Sequence, residues 1–157
     1  MSRRSALLAA LGLAVAARLA LAQSTDTFSA RLSWVPISLA QHSEVGGEGV
    51  ATATLSRSQL AITGSFEGLP APATAARLHQ GAATGASGPA IAELDIVHAA
   101  DGTFEAAVDL DRAQRAALMA GHLYIQLHAE RGVPPDNAVL RGWLLAPQAS
   151  AARRRER

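Results

Sequence analysis

The chain has no cysteine, and none of its 14 basic residues is lysine. The first absence excludes thiol nucleophiles, disulfides, iron–sulfur clusters, thiolate metal sites and thioether-attached haem, so a metal would have to be held by His, Asp or Glu. The second excludes chemistry through a lysine amine, such as a Schiff base. Aromatic residues make up 4% of the 157, too few for a platform on which nucleic-acid bases could stack. Charged residues stand at 17% against 49% hydrophobic, which excludes a disordered polyampholyte. A chain of this length supports one domain and falls short of two well-cored ones.

The N-terminus reads as an export signal. Arg3 and Arg4 precede an Ala/Leu run from Ala6 to Ala17, and Ala20-Leu21-Ala22 forms a small-x-small cleavage site before Gln23. The run is well short of the ~20 residues a membrane-spanning helix needs, so residues 1–22 are expected to be a cleaved signal peptide. Ser2-Arg3-Arg4-Ser5-Ala6-Leu7-Leu8 suits either the Sec or the twin-arginine route. With no Cys after the cleavage point a lipoprotein anchor is excluded, and the sequence predicts a periplasmic or secreted protein without a stable membrane anchor.

Processing changes the charge. Loss of the signal leaves 11 basic against 13 acidic residues, net −2. Four of the remaining Arg lie in the last five positions, so residues 23–152 carry 7 basic and 12 acidic groups, net −5. Such a body offers no nucleic-acid surface. Residues 147–157 read as a disordered Arg-rich tail, and residues 23–146 as the domain.

Within that domain, two-residue alternation recurs between Gly, Pro and Asp turn signals, the pattern of an all-β protein. Strands are expected over 27–32, 49–56, 59–67, 75–80, 90–96, 103–109, 123–128 and 139–145. One segment, 111–120, is rich in helix formers, starts on acidic residues and stops at Gly121. Ala113, Ala117 and Leu118 are spaced for one apolar face, so this helix should plug an open end of the core. The expected fold is a Greek-key-like β-sandwich of about eight strands with one short helix. Residues 33–48 form a long loop with Trp34 and His42, and 81–89 is a Gly/Ala/Ser loop without the Lys or the strand-to-helix setting of a phosphate loop.

Alternation also sorts side chains by face. Leu78 opposes Arg77 and His79. Leu123, Ile125 and Leu127 share the core face, which leaves Tyr124, Gln126 and His128 on the other. Leu140 and Leu144 match the core, so Val139, Arg141 and Trp143 should face outward. If these three strands are neighbours, Arg77, His79, Tyr124, Gln126, His128 and Arg141 form one polar patch on the outside of a sheet. His98 is expected at an exposed hairpin turn, His122 at the helix end, and Asp136-Asn137 in a Pro-rich turn.

The same segments resemble the CHRD domain, named for its repeats in chordin and widespread in bacterial secreted proteins. The similarity runs through Phe28-Ser29-Ala30-Arg31-Leu32-Ser33, Gly49-Val50-Ala51-Thr52-Ala53-Thr54-Leu55 and Phe66-Glu67-Gly68-Leu69. Its most specific parts are Thr74-Ala75-Ala76-Arg77-Leu78-His79-Gln80-Gly81, Gly88-Pro89, Leu123-Tyr124-Ile125-Gln126-Leu127-His128 and Leu140-Arg141-Gly142. Arg77 stands where the family usually has the first His of His-Ile-His, and Val139 where it usually has Glu. The first departure removes an imidazole and sets a guanidinium beside His79. The resemblance implies an exported β-sandwich with no agreed biochemical activity, and its paired-His strand is similar at the level of fold to the copper/zinc superoxide dismutase sandwich.

Two functions from different classes follow. One is a non-catalytic binding module, its polar face meeting an envelope or extracellular protein, a glycan or a small anion; Arg77 and Arg141 suit carboxylate or phosphate oxygens. The other is copper or zinc binding by His79 and His128, helped by His122 or His42, although two imidazoles do not complete a tetrahedral site. No catalytic residue is singled out: the chain lacks a Gly-x-Ser-x-Gly elbow, and its acidic residues lie mostly in turns and at strand ends.

Overall fold

Alternating apolar residues need a wall behind which to hide, and in the computed structural model, which describes residues 25–147, eight antiparallel strands supply it. They are β1 (Asp26–Trp34), β2 (Glu48–Ser56), β3 (Gln59–Glu67), β4 (Ala73–Gln80), β5 (Ala90–Ile96), β6 (Gly102–Asp109), β7 (Leu123–Val133) and β8 (Ala138–Trp143). A helix, α1 (Arg112–Met119), joins β6 to β7, and a 3-10 turn (Leu39–Glu44) interrupts the loop between β1 and β2. The residues read as signal peptide, and residues 148–157 of the tail, lie outside the described part.

The all-β expectation holds, but the strands close into a barrel and do not form two separate sheets. Their order around it is β1-β2-β3-β6-β5-β4-β7-β8. Two strands turn the corners. β1 pairs with β2 from Asp26 to Leu32 and with β8 at Ser33 and Trp34. β5 pairs with β4 near Leu94 and with β6 at Asp95 and Ile96. Because each of these strands hydrogen-bonds on both sides of its bend, the ladder runs through the corner and no edge remains there. Alternation cannot tell the two architectures apart, since both present one inward face per strand. The placement of β4 beside β7, and of β6 beside β3, is Greek-key.

Inside lies one main cluster. Phe28, Leu32, Leu60, Ile62, Phe66, Leu78, Phe104, Ile125, Leu127 and Leu140 are buried in it, with small residues such as Ala30, Ala51, Ala53, Ala73 and Ala76 between them. The alanines leave room for the larger rings. At Gly64 the requirement is stricter, since a Cβ there would meet the Phe104 ring at 2.2 Å.

Helix α1 begins with a reciprocal cap: Asp111 accepts from the Gln114 N–H at 2.8 Å, and the Gln114 side chain accepts from the Asp111 N–H at 2.9 Å. It stops at Gly121, whose φ of 75° suits a residue without a Cβ. Ala117 and Leu118 join the main core, as the apolar spacing required. Ala113 does not: it is exposed, because the helix is only two turns long and just its second turn reaches the barrel.

A candidate binding face on strands 4, 7 and 8

The strand order makes β4, β7 and β8 neighbours, and register aligns the candidate residues in rows. Arg77 pairs with Gln126, which pairs with Arg141; His79 pairs with Tyr124, which pairs with Trp143. All lie on the side of the sheet away from the main core. The face is nonetheless covered. Tyr124, Gln126, His128 and His79 are buried, and only Arg77, Arg141 and Trp143 are half-exposed. Along β7 this makes seven consecutive buried residues, Leu123 to Ala129.

Three segments provide the cover. The loop 81–89 reaches Tyr124 through Gly88, whose N–H donates to the Tyr124 hydroxyl at 3.0 Å and whose carbonyl accepts from it at 3.1 Å. The turn between β7 and β8 brings the Asp136 carbonyl to 2.9 Å from His128 Nδ1. The 3-10 turn packs against β7, and its flanks form a small second cluster of Val35, Val45 and Ala138 with Ile37 and Val133. Thus the long loop expected at 33–48 is pinned down, also by Trp34, whose Nε1–H donates to the Gly47 carbonyl at 3.0 Å.

One outward assignment fails. Val139, expected outside, is buried in the main core together with Leu140. The register between β7 and β8 shifts here, from Leu127 opposite Leu140 to His128 opposite Ala138. The extra residue is a bulge, which breaks the two-residue period that sorted the faces.

The hydrogen bonds on this face run in one direction. Arg141 donates from Nε and Nη2 to Gln126 Oε1, at 2.9 and 2.6 Å, and from Nη1 to the Ser87 hydroxyl at 3.1 Å. With its oxygen taken by Arg141, the Gln126 amide turns its NH2 group to Asp136 Oδ2, at 3.4 Å, and to His128 Nε2, at 3.5 Å. Carbonyl oxygens only accept, so His128 Nδ1 carries its proton toward Asp136, and His79 Nδ1 carries its own toward the Gly88 oxygen at 2.9 Å. Both histidines therefore carry their lone pair on Nε2, which in His128 faces the Gln126 NH2 group. That of His79 is buried and has no hydrogen-bond partner. Burial pulls the His79 pKa down; the Gly88 hydrogen bond opposes this, while His128, Arg141 and Arg77 add to it.

The rings form a layer. His79 stacks on Tyr124 at 4.8 Å, Trp143 lies tilted against Tyr124 at 4.5 Å, and the Arg141 guanidinium carbon sits 4.9 Å from the Tyr124 ring centre. Arg77 is paired with Glu93 at 2.7 Å. Arg141 has no carboxylate partner among the described residues.

His79 and His128 sit on different rows of the sheet. The row of His79 crosses β7 at Tyr124, four residues from His128, with Gln126 between. At ~3.3 Å per residue this is a span on the order of 13 Å between rows. His42 stands apart, edge-on to Trp34 at 5.7 Å, and His122 lies just beyond α1. His98 is exposed, as its turn position suggested. Among the described residues no group of three or more His, Cys, Asp or Glu is placed to hold a metal ion.

The sequence reading placed Ser87, Gly88 and Asp136 in loops without assigning them to this face, which they reach through their hydrogen bonds, and it left Trp143 out of the patch despite sorting it outward. The only signal for Trp143 was its alternation with Leu144. A separate depression of about 390 Å³ on the β1–β3 wall, lined by Arg31, Glu48, Val50 and Glu67 among others, contains none of the candidate residues.

The order of these segments, from the first strand to the turn after β7, is also that of a family profile: the CHRD domain matches residues 17–135. The chain belongs to the CHRD domain family. No curated protein and no solved structure matches it. The matched span of this CHRD domain includes His79, Tyr124, Gln126 and His128 and ends before β8, so Arg141 and Trp143 are contributed from beyond it.

Proposed function

We propose that this CHRD domain is a non-catalytic binding module, exported from the cytoplasm, that holds a protein partner by an exposed carboxylate on the face of β4, β7 and β8. The observation that carries this reading is Arg141. Its charge has no acidic counterpart among the described residues, and three of its five N–H groups donate within the protein, which leaves two for an outside anion. The side chain is fixed by Gln126 and Tyr124 and needs little ordering on binding. Beside it Trp143 is half-exposed, and Arg and Trp are the residue types that most often carry the energy of protein interfaces. By contrast, the hydroxyl of Tyr124 and the amide of Gln126 are engaged with neighbours, which supports binding over catalysis.

The test is an NMR titration of the mature protein with an oligo-aspartate peptide, with oligo-asparagine as control. Shifts should centre on the Arg141 Nε–H and the Trp143 indole, respond to oligo-aspartate only, and disappear in Arg141→Gln. Shifts confined to another surface, or none, would overturn the reading. Export is tested by N-terminal sequencing of the secreted or periplasmic protein, which should begin at Gln23.

A second reading, copper or zinc binding, draws on the two Nε2 lone pairs, each set by a backbone carbonyl holding the other ring nitrogen, as metal-binding histidines commonly are. Against it stand the separation of the two rows and the cation of Arg141 between them. Calorimetric titration with Zn(II) and Cu(II), compared with a His79→Ala/His128→Ala variant, separates the readings: tight binding lost in the variant would favour the metal.

A further inference from the structure

Helix α1 covers one end of the barrel, where Leu118 enters the core. A depression of about 300 Å³ opens there between the helix and the turn from β2 to β3, lined by Arg57, Arg115, Asp26 and Met119 among others. Arg57 holds the first position of that turn with a φ of 59°, a left-handed conformation that Gly adopts freely and that any other side chain enters at a cost. Its guanidinium makes no ion pair among the described residues. Arg115 donates to the Leu110 carbonyl at 2.9 Å and has no carboxylate partner there either. With Asp26 counted, the depression keeps a net charge of +1.

Two apolar side chains at this end face water. Met119 is 52% exposed, and Leu145, 43% exposed, lies at the helix stop, where a Cβ on Gly121 would come within 3.0 Å of its Cδ2. Leu145 is also the last residue bridged to the barrel, opposite Ser29, and the sequence beyond it carries Arg153, Arg154, Arg155 and Arg157. Of the 11 arginines after residue 22, seven thus lie at the helix end or follow from it, Arg57, Arg112 and Arg115 being the other three. Against them stand Asp26, Asp109, Asp111 and Glu156, whereas the rest of the domain has four Arg and nine acidic residues. A negatively charged surface therefore attracts this end and repels the remainder, which fixes the orientation of approach. Arginines beside exposed Met and Leu suit a boundary where charged headgroups overlie hydrocarbon, and a guanidinium fork fits phosphate oxygens.

We propose that the helix end of the barrel docks reversibly on a membrane surface rich in anionic phospholipid, with a headgroup phosphate between Arg57 and Arg115 and with Met119 and Leu145 entering the headgroup boundary. The arginines of 153–157 add attraction without forming the seat. This surface is separate from the Arg141 face and does not draw on the function proposed for it.

The experiment is cosedimentation of the mature protein with vesicles of phosphatidylcholine, alone or with about 30% phosphatidylglycerol. Binding is expected to the second only, and should be lost at about 0.5 M salt, where charges are screened within a few Å. Arg57→Gly and Arg115→Gln should each weaken it roughly fivefold, the worth of one charge near such a surface. Arg57→Gly relieves the backbone, so its urea midpoint should not fall while its binding does. With a nitroxide-bearing lipid in the vesicles, the methyl signal of Met119, the only methionine after residue 22, should broaden, and the Asn137 amide at the other end of the barrel should stay sharp. Equal binding to both vesicles would overturn the proposal. So would binding that disappears when the four arginines of 153–157 become Gln yet ignores Arg57→Gly and Arg115→Gln, or that falls with Arg141→Gln instead. Full competition by soluble glycerol phosphate at equal phosphate concentration, or by oligo-aspartate, would replace the membrane by a free phosphate or an acidic protein. Should Arg115→Gln fail to fold, Arg57→Gly and the Met119 signal decide.

Discussion

His79 and Tyr124 stack with ring planes 14° from parallel, and both donate a hydrogen bond to the same carbonyl, that of Gly88. One loop oxygen thus ties β4 to β7 above the sheet, in addition to the ladder within it. Burial is the main influence that favours the neutral His79 ring, and the Gly88 hydrogen bond works against it.

That has a consequence for stability. Burial lowers the His79 pKa in the folded protein below its usual 6.5, so between the two values the unfolded chain binds more protons. The stability His79 contributes is complete above 6.5 and is lost as pH falls through 6.5 toward the folded value. Urea unfolding midpoints should drop from about pH 7.5 to about pH 5, and the drop should be smaller in His79→Asn. Equal drops in both proteins would place the sensitivity elsewhere.

Arg141→Lys keeps the charge and loses the two-pronged grip on Gln126 Oε1. A buried acceptor is then left short of donors, at a cost of about 1–3 kcal/mol. Chemical denaturation should show that loss, and Gln126 should no longer be held with its NH2 toward His128, visible as a shift of the Gln126 side-chain amide signals.

Gly64→Ala puts a methyl into the Phe104 ring and within 2.6 Å of the Val50 carbonyl oxygen. The ring can rotate away only by disturbing its packing, and the backbone oxygen cannot yield without bending β2. Destabilisation of about 1–3 kcal/mol is expected in urea unfolding. Substituting Gly85, where a Cβ would meet nothing, tests a different cost, that of its positive φ alone.

Asp111→Ala removes the acceptor for the Gln114 N–H and breaks the reciprocal cap. A loss of about 1 kcal/mol is expected. Because Leu118 of the same helix is fully buried in the core, fraying should be limited to the first turn, measurable as faster amide exchange at Gln114 with protection kept at Leu118.

Much of the strand pattern was visible in the residue order. β3 and β5 coincide with the stretches of alternation bounded by turn residues, and α1 lies between the Asp cap and the Gly stop. These features depend on contacts a few residues apart. Errors arose where the local rule is interrupted. Val139 went inward because a bulge inserts a residue, and Ala113 stayed exposed because two turns of helix do not carry their first turn onto the barrel. The candidate residues of β4, β7 and β8 could be gathered from alternation, but the loop atoms that hold them could not, since Gly88, Ser87 and Asp136 carry no periodic signal.

Local chemistry, then, specified which residues alternate, where strands stop, and which polar side chains share a face, because period and turn preference act over a few peptide units. Closure into a barrel depended on β1 and β5 each bonding to two neighbours around a bend, a choice made by long-range pairing. The burial of Tyr124, Gln126 and His128 depended likewise on loops arriving from elsewhere in the chain. Polarity marks a side chain as fit for water; whether water or another segment meets it is decided only when the distant parts of the chain come together.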